Sequence, residues 1–171
     1  MVLYRRNLLE GGSYFLTLTL RDRSAKTLVD HADVLRESLR RVRTRHPFDI
    51  DALVVMPDHL HLLCSLPEGD AAYSERIRLL KRRFSSALSE RVQVPRNGIW
   101  QPRFWEHTVR DEQDFQRHFD YIHFNPVKHG YADRVADWPY SSFHKYVRNG
   151  LLPADWGGDG ADDSSGSYGE R

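Results

Sequence analysis

The fold of this chain is decided by residues 54–63, which read VVMPDHLHLL. Two apolar runs flank a Pro57-Asp58 turn, a pattern typical of an antiparallel β-hairpin. Because side chains alternate between the two faces of a strand, His59 and His61 are predicted to share one face, with Leu60 on the other. Two imidazoles on one face are either half of a metal-binding site or ordinary polar residues of a sheet surface.

Further strands and helices are predicted on both sides of this hairpin. Residues 14–20 alternate between apolar and polar side chains, as a half-buried strand does, and residues 103–110 form a fourth, aromatic-rich strand. Apolar residues recur at helical spacing in residues 30–45 and 74–91, and a third helix begins at Asp111, a good N-cap residue. This order predicts an α+β fold of the split βαβ type, in which an antiparallel sheet carries helices on one face and leaves the other face for a ligand.

The composition is that of a soluble globular protein. With 171 residues, of which 40% are hydrophobic and 29% charged, the chain is long enough for a single domain, which we place at residues 1–156. No apolar run reaches the roughly 18 residues of a membrane span, and the N-terminus lacks the apolar segment of a secretion signal. Cys64, the only cysteine, excludes an internal disulfide and suits a reducing cytoplasm. Residues 157–171, rich in Gly, Ser and Asp, are predicted to be a disordered acidic tail.

The small net charge of +1 conceals an uneven distribution. Residues 1–150 carry 24 of the 25 basic and 19 of the 24 acidic side chains, a net charge of +5. Arginine and lysine cluster in residues 36–45 and 76–83, within the first two predicted helices. Such clusters suit a polyanion such as a nucleic acid, although solvated helix faces have the same composition.

The third predicted helix carries a second pair of candidate residues. Tyr121 and Asn125 are four residues apart and therefore share a helix face, which is directed away from the apolar stripe of the same helix. Combined with His59 and His61, Asn125 supplies a third metal ligand, and Tyr121 supplies a nucleophile for a phosphodiester that the metal ion polarises. The alternatives are that Tyr121 is a half-buried aromatic and that Asn125, which precedes the helix-ending Pro126, is a helix C-cap.

Several blocks of sequence together resemble a known family. Residues 59–61 match the histidine–hydrophobic–histidine (HUH) motif, and residues 121–130, YIHFNPVKHG, look like the tyrosine-helix signature of the REP-associated tyrosine transposases. Further blocks that resemble this family are residues 66–70, 98–107 and 137–143. From Tyr4 to Trp156 the chain is therefore similar to this branch of the single-tyrosine HUH (IS200-like) transposase superfamily.

The resemblance implies a ferredoxin-like HUH nuclease fold and a DNA-cleaving enzyme. It implies that Tyr121 attacks a phosphodiester and stays attached to the 5′ phosphate, and that His59, His61 and Asn125 bind Mg²⁺ or Mn²⁺. The implied substrate is single-stranded DNA with a repetitive extragenic palindromic (REP) hairpin, which a monomer cleaves and rejoins with its tyrosine in cis. The implied location is the bacterial cytoplasm, in association with the nucleoid and without a membrane partner.

Basic and aromatic residues near these motifs are candidates for DNA contacts. The candidates for phosphate or base contacts are Arg5, Arg6, Arg103, Lys128 and His129. Trp100, Phe104 and Trp105 either stack on exposed bases or pack in the core, and core packing is favoured for at least two of the three. Two other functions stay open: a non-catalytic hairpin-binding protein derived from a transposase, and an unrelated metal hydrolase that uses a bound water.

Overall fold

The protein forms one four-stranded antiparallel sheet covered by helices. The computed structural model describes residues 7–157 and 168–169. The strands are β1 (Ser13–Thr19), β2 (Asp49–Val55), β3 (His59–Ser65) and β4 (Trp105–Thr108). The helices are α1 (Thr27–Asp30), α2 (Ala32–Arg45), α3 (Tyr73–Ser89), α4 (Glu112–Lys128) and α5 (Phe143–Arg148), with a 3₁₀ turn at Val135–Asp137.

The strand order across the sheet is β2-β3-β1-β4. Two strand–helix–strand units, β1-α2-β2 and β3-α3-β4, interleave so that β1 and β3 are neighbours at the centre. This is the ferredoxin-like split βαβ arrangement, and the predicted α+β fold class is confirmed. None of the helices in the described part of the chain is both long and apolar enough to cross a membrane.

The hairpin of β2 and β3 has the predicted turn and faces. The Met56 amide donates to the His59 carbonyl across the turn, at 2.8 Å. In the register of β3 with β1, His61 lies opposite Thr17 and His59 opposite Thr19. The two histidines therefore share a face with the threonines of β1, as the alternating pattern predicts.

The opposite face of the sheet carries the larger apolar core. Tyr14, Leu16 and Leu18 of β1 pack there with Leu60 and Leu62 of β3, under α2 and α3. Full burial of one such side chain contributes about 1.5–3 kcal/mol to folding. Cys64 lies in the same core and is a packing residue, as its position in an apolar strand predicts.

The third long helix, α4, covers the face that bears the histidines. Phe119 and Ile122 of α4 pack against Phe15 of β1 and Val54 of β2. The expectation that the helices share one face is therefore wrong for α4. The reason is that β1 and β2 also place apolar side chains on the histidine face, and α4 removes them from water.

A buried histidine ties α4 to the segment before α5. The Ser142 hydroxyl lies 2.8 Å from His123 Nε2 and accepts a hydrogen bond from the Leu53 amide, so its own proton is available to a neutral imidazole. Burial lowers the pKa of His123 to about 4. Protonation of this ring is therefore much harder in the folded than in the unfolded protein.

This pKa predicts acid destabilisation between pH 6.5 and 4. The pKa of His123 is lower in the folded protein than the value of about 6.5 in the unfolded chain, so only the unfolded chain gains a proton as the pH falls through this range. Stability is therefore complete above pH 6.5 and is lost as the pH falls towards 4, a change on the order of 3 kcal/mol in the free energy of unfolding. Urea unfolding measured at several pH values should show a shallower pH dependence for His123→Gln than for the unmodified chain. Parallel pH profiles for the two proteins would contradict the assignment.

Candidate active site

His59 and His61 lie side by side on β3, beneath α4. Their ring centroids are 4.9 Å apart, and both side chains are buried. Each ring is held through Nδ1: His59 by Asp58 Oδ1 at 2.8 Å, and His61 by Thr17 Oγ1 at 2.8 Å. The strand register creates the second contact, because Thr17 is the direct partner of His61.

The hydrogen bonds decide which ring nitrogen carries the proton. Burial raises the pKa of Asp58, but hydrogen bonds with His59 and Arg23 outweigh it and hold the pKa at about 2. Asp58 is therefore an anion that can only accept, so Nδ1 of His59 donates and Nε2 keeps its lone pair. This Nε2 is buried and has no hydrogen-bond partner among the described residues. A buried imidazole nitrogen of this kind fits a metal ligand.

The same reasoning applies to His61. The Thr17 hydroxyl donates its single proton to the Tyr168 carbonyl, at 2.6 Å. It must therefore accept from Nδ1 of His61, which leaves the lone pair on Nε2. Both histidines thus have the tautomer in which a divalent cation would bind through Nε2.

Tyr121 and Asn125 project from α4 towards the sheet. The Tyr121 ring centroid lies 5.3 Å from that of His61, and both Tyr121 and Asn125 are buried. The prediction that they share a helix face is consistent with this, but the expectation that they point away from the buried side is wrong. Because the sheet lies under this side of α4, the tyrosine is part of the smaller core with Phe15.

Asn125 is not a helix cap. The helix continues through Pro126 to Lys128, and His129 is the C-cap residue. The His129 amide still donates to the Asn125 carbonyl, at 3.1 Å. Pro126 lies two residues before the end of the helix, where its missing N–H removes one backbone hydrogen-bond donor without ending the helix. The backbone of Asn125 is consequently helical, and its side chain lies one turn after that of Tyr121.

Two of the predicted DNA-contacting residues lie beside this site. Lys128 Nζ is 4.7 Å from the Tyr121 ring centroid, and the His129 ring centroid is 6.1 Å from that of His59. Arg103 is exposed two residues before β4. Arg5 and Arg6 lie outside the described residues.

The basic clusters of α2 and α3 are largely on the opposite side of the sheet from the histidines. Arg40, Arg41, Arg45 and Arg83 line a surface pocket there with Thr44. Arg76, which sequence reasoning assigned to a cluster suited to a polyanion, is instead buried and forms a salt bridge with Asp70 at 2.6 Å. Its guanidinium also donates to the backbone carbonyls of His46 and Pro47, which follow α2. Helical spacing alone could not reveal these contacts.

The aromatic candidates divide between core and surface. Trp100 packs against Phe84 in the larger core, and Phe104 contacts Tyr73 at its margin. Trp105 is 41% exposed. The prediction that at least two of the three are packing residues is confirmed.

A second cluster of titratable side chains fastens α4 to β4. His107 Nε2 lies 2.7 Å from Asp114 Oδ2, and the His118 ring stacks on that of His107 with centroids 4.7 Å apart. These three side chains are close enough to ligate one metal ion. However, Arg110 and Arg117 also contact the Asp114 carboxylate, at 3.3 and 3.2 Å. The carboxylate is therefore already neutralised, and we assign the cluster a structural role.

Sequence reasoning missed the contact between the C-terminal tail and the nucleophile candidate. The Tyr168 ring stacks on the Tyr121 ring, with centroids 3.6 Å apart and planes inclined by 13°. The next residue, Gly169, has φ +74°, and a Cβ there would lie 2.3 Å from Trp105 Cβ. Only glycine allows this approach. The sequence signal was a tyrosine within a segment otherwise rich in Gly, Ser and Asp.

The sequence and fold of the chain place it in the class of IS200-like transposases. The family described as "Transposase IS200 like" matches residues 11–125. Within this class, the chain belongs to the REP-associated tyrosine transposases. It is 45% identical over 163 residues to the REP-associated tyrosine transposase of Escherichia coli, with 95% of each chain covered. A Haemophilus influenzae protein with the same family name is also 45% identical, with 91% of this chain and 93% of that protein covered.

A solved structure shows the same fold. It is a REP-associated tyrosine transposase bound to a REP hairpin, and it superposes with a TM-score of 0.88. The two sequences are 44% identical, and the match covers 98% of each chain.

The Tyr168 contact predicts that the tail shields Tyr121 from reagents in solution. Deleting residues 157–171 should expose the Tyr121 ring, so that its nitration by tetranitromethane, followed by peptide mass spectrometry, increases several-fold. Tyr168→Phe is the matched control, because it keeps the aromatic stack and should retain the protection. Equal nitration of Tyr121 in the full and truncated chains would show that the stack does not form in solution.

Proposed function

We propose that this protein is a metal-dependent tyrosine endonuclease and strand transferase that acts on single-stranded DNA at REP-type hairpins. Cleavage and rejoining would proceed through a 5′-phosphotyrosine intermediate on Tyr121. The observation that supports this most directly is the 5.3 Å separation of the Tyr121 and His61 rings within one chain. A nucleophile is thus next to imidazoles whose Nε2 atoms are suited to a metal ion.

His59, His61 and Asn125 are the residues we assign to a divalent cation. When bound, Mg²⁺ or Mn²⁺ would withdraw charge from the scissile phosphate and favour in-line attack. Imidazole is a softer ligand than Mg²⁺ prefers, so this ligand set favours Mn²⁺. The structural basis for the assignment is Nε2 of His59, which is buried and accepts no hydrogen bond from residues 7–157 or 168–169.

The proposed chemistry exchanges one phosphodiester for another. The phenolic oxygen of Tyr121 loses its proton and bonds to phosphorus, while the bond from phosphorus to the 3′ oxygen breaks. The 3′ oxygen takes up a proton and leaves as a hydroxyl. Because the phosphodiester energy is retained in the link to Tyr121, attack by a 3′ hydroxyl can rejoin the strand.

The proposed substrate rests on the relative that is solved with a REP hairpin. In this chain, Lys128 lies over the Tyr121 ring, close to where the scissile phosphate must lie for attack. We assign Lys128 and His129 to phosphate contacts near the site, and Arg5, Arg6 and Arg103 to contacts with flanking DNA. The exposed Trp105 is suited to stacking on an unpaired base.

One chain holds the complete set of proposed catalytic residues. Within the same chain the Tyr121 ring lies beside that of His61, and the His61 ring lies beside that of His59. This supports a monomer with its tyrosine in cis, formed by a catalytic domain of residues 1–156 and an appended tail of residues 157–171. Its proposed place of action is the bacterial cytoplasm, at the nucleoid, because the proposed substrate is DNA.

A second candidate function is hairpin binding without cleavage. It is favoured by the Tyr168 ring, which stacks directly on the proposed nucleophile. In that function the basic residues would supply affinity, and Tyr121 would be a packing residue. The two functions differ in whether a covalent product ever forms.

The decisive variant is Tyr121→Phe. The protein is incubated with Mn²⁺ and an end-labelled single strand containing a REP-type hairpin, and the products are separated on a denaturing gel. A covalent protein–DNA band is expected for the unmodified chain and should disappear in Tyr121→Phe, because the ring remains but the nucleophilic oxygen is lost. Cleavage that persists in Tyr121→Phe would instead indicate a hydrolase that uses water. Hairpin binding without cleavage under all metals would favour the second candidate.

The metal site predicts a separate phenotype for His61→Ala. Cleavage should fall by a factor on the order of 100 or more, because the phosphate loses its polarising ion. Hairpin affinity, measured by fluorescence anisotropy in EDTA, should be largely unchanged. Equal loss of cleavage and binding would assign His61 to folding and not to metal binding.

A further inference from the structure

We propose that Asp58 is a positioning residue for the metal ligand His59, and that Arg23 fixes the Asp58 carboxylate in turn. This inference rests on the proposed function, because it concerns the same metal site. It adds two residues that lie outside the ligand set. The structural evidence is a chain of contacts that begins in the loop after β1 and ends at the His59 ring.

The Asp58 carboxylate is shared between two donors. Its Oδ1 accepts from His59 Nδ1 at 2.8 Å, and its Oδ2 accepts from Nε of Arg23. The Asp58 side chain is 9% exposed, so water has little access to replace either contact. Each oxygen therefore has its own donor, which fixes the plane of the carboxylate and the plane of the imidazole.

The backbone of the turn is equally constrained. The Asp58 carbonyl accepts from the Leu20 amide at 2.8 Å, and the Pro57 carbonyl accepts from the Leu28 amide at 3.2 Å. These bonds attach the turn to the end of β1 and to α1. These backbone bonds keep the turn from moving the Asp58 carboxylate away from His59, and rotation of the side chain itself would break its hydrogen bonds with His59 and Arg23.

The two histidines are consequently oriented by different kinds of partner. His61 is held by the neutral hydroxyl of Thr17, whereas His59 is held by an anion. An anionic partner keeps the proton on Nδ1 and increases the electron-donating power of Nε2. Loss of the charge at position 58 should therefore weaken the metal–His59 interaction even if the shape of the side chain is preserved.

The test is the Mn²⁺ affinity of Asp58→Asn in the full chain, measured by electron paramagnetic resonance of free Mn²⁺ during titration. The variant should bind Mn²⁺ about 10- to 100-fold more weakly, and its cleavage should recover as Mn²⁺ is raised. Asp51→Asn is the matched control, because Asp51 is also a partly buried carboxylate. It accepts a hydrogen bond from Ser65 at the end of the hairpin away from the turn. Its Mn²⁺ affinity should equal that of the unmodified chain.

The outcomes separate this inference from the proposed function. If the unmodified chain binds Mn²⁺, His61→Ala does not, and Asp58→Asn binds as tightly as the unmodified chain, the positioning role is overturned and the metal site stands. If the unmodified chain binds no Mn²⁺, or His61→Ala binds it equally well, the metal site itself fails. Thermal unfolding establishes that each variant is folded. Should Asp58→Asn fail to fold, Arg23→Gln replaces it, with at least threefold weaker Mn²⁺ binding expected and unchanged binding overturning the role.

Discussion

The structure depends on the two-residue period of β3 and on its register beside β1. His59 and His61 face α4, while Leu60 and Leu62 face the core under α2 and α3. A slip of one residue would exchange the faces, burying two imidazoles in an apolar layer and removing the leucines from it. The same register therefore places the leucines in the core and the histidines in the candidate site. The interactions that stabilise the fold also hold the two histidines in position.

Buried polar groups around the site are held by partners from other parts of the chain. Thr17 of β1 orients His61, and the hairpin turn supplies Asp58 for His59. At the other end of α4, Asp114 pairs with His107 of β4. Because a buried charge that loses its partner costs several kcal/mol, these pairs restrict the side chains to one arrangement. A site whose side chains are fixed before the substrate binds favours a reaction that depends on the exact position of the reacting groups.

Local patterns predicted most of the elements and the members of the candidate site. The strand predicted from His59 to Leu66 ends at Ser65, and the third helix has Asp111 as its N-cap, where the sequence predicts it. These predictions succeeded because they depend only on the spacing of apolar side chains within one segment, which repeats every two residues in a strand and every 3.6 residues in a helix. The face covered by α4 was predicted wrongly, since Phe15 of β1 and the apolar residues of β2 make both sheet faces partly apolar. Periodicity alone does not say which helix covers which face.

By itself the sequence determined the order of the four strands and the three long helices, the common face of His59 and His61, and the common face of Tyr121 and Asn125. Each of these follows from side-chain spacing within a single element. Only the tertiary structure decided that α4 brings Tyr121 to His61 and that Tyr168 stacks on Tyr121. Both contacts join residues far apart in the chain, and their formation depends on how whole elements pack to remove apolar surface from water, which no local pattern records.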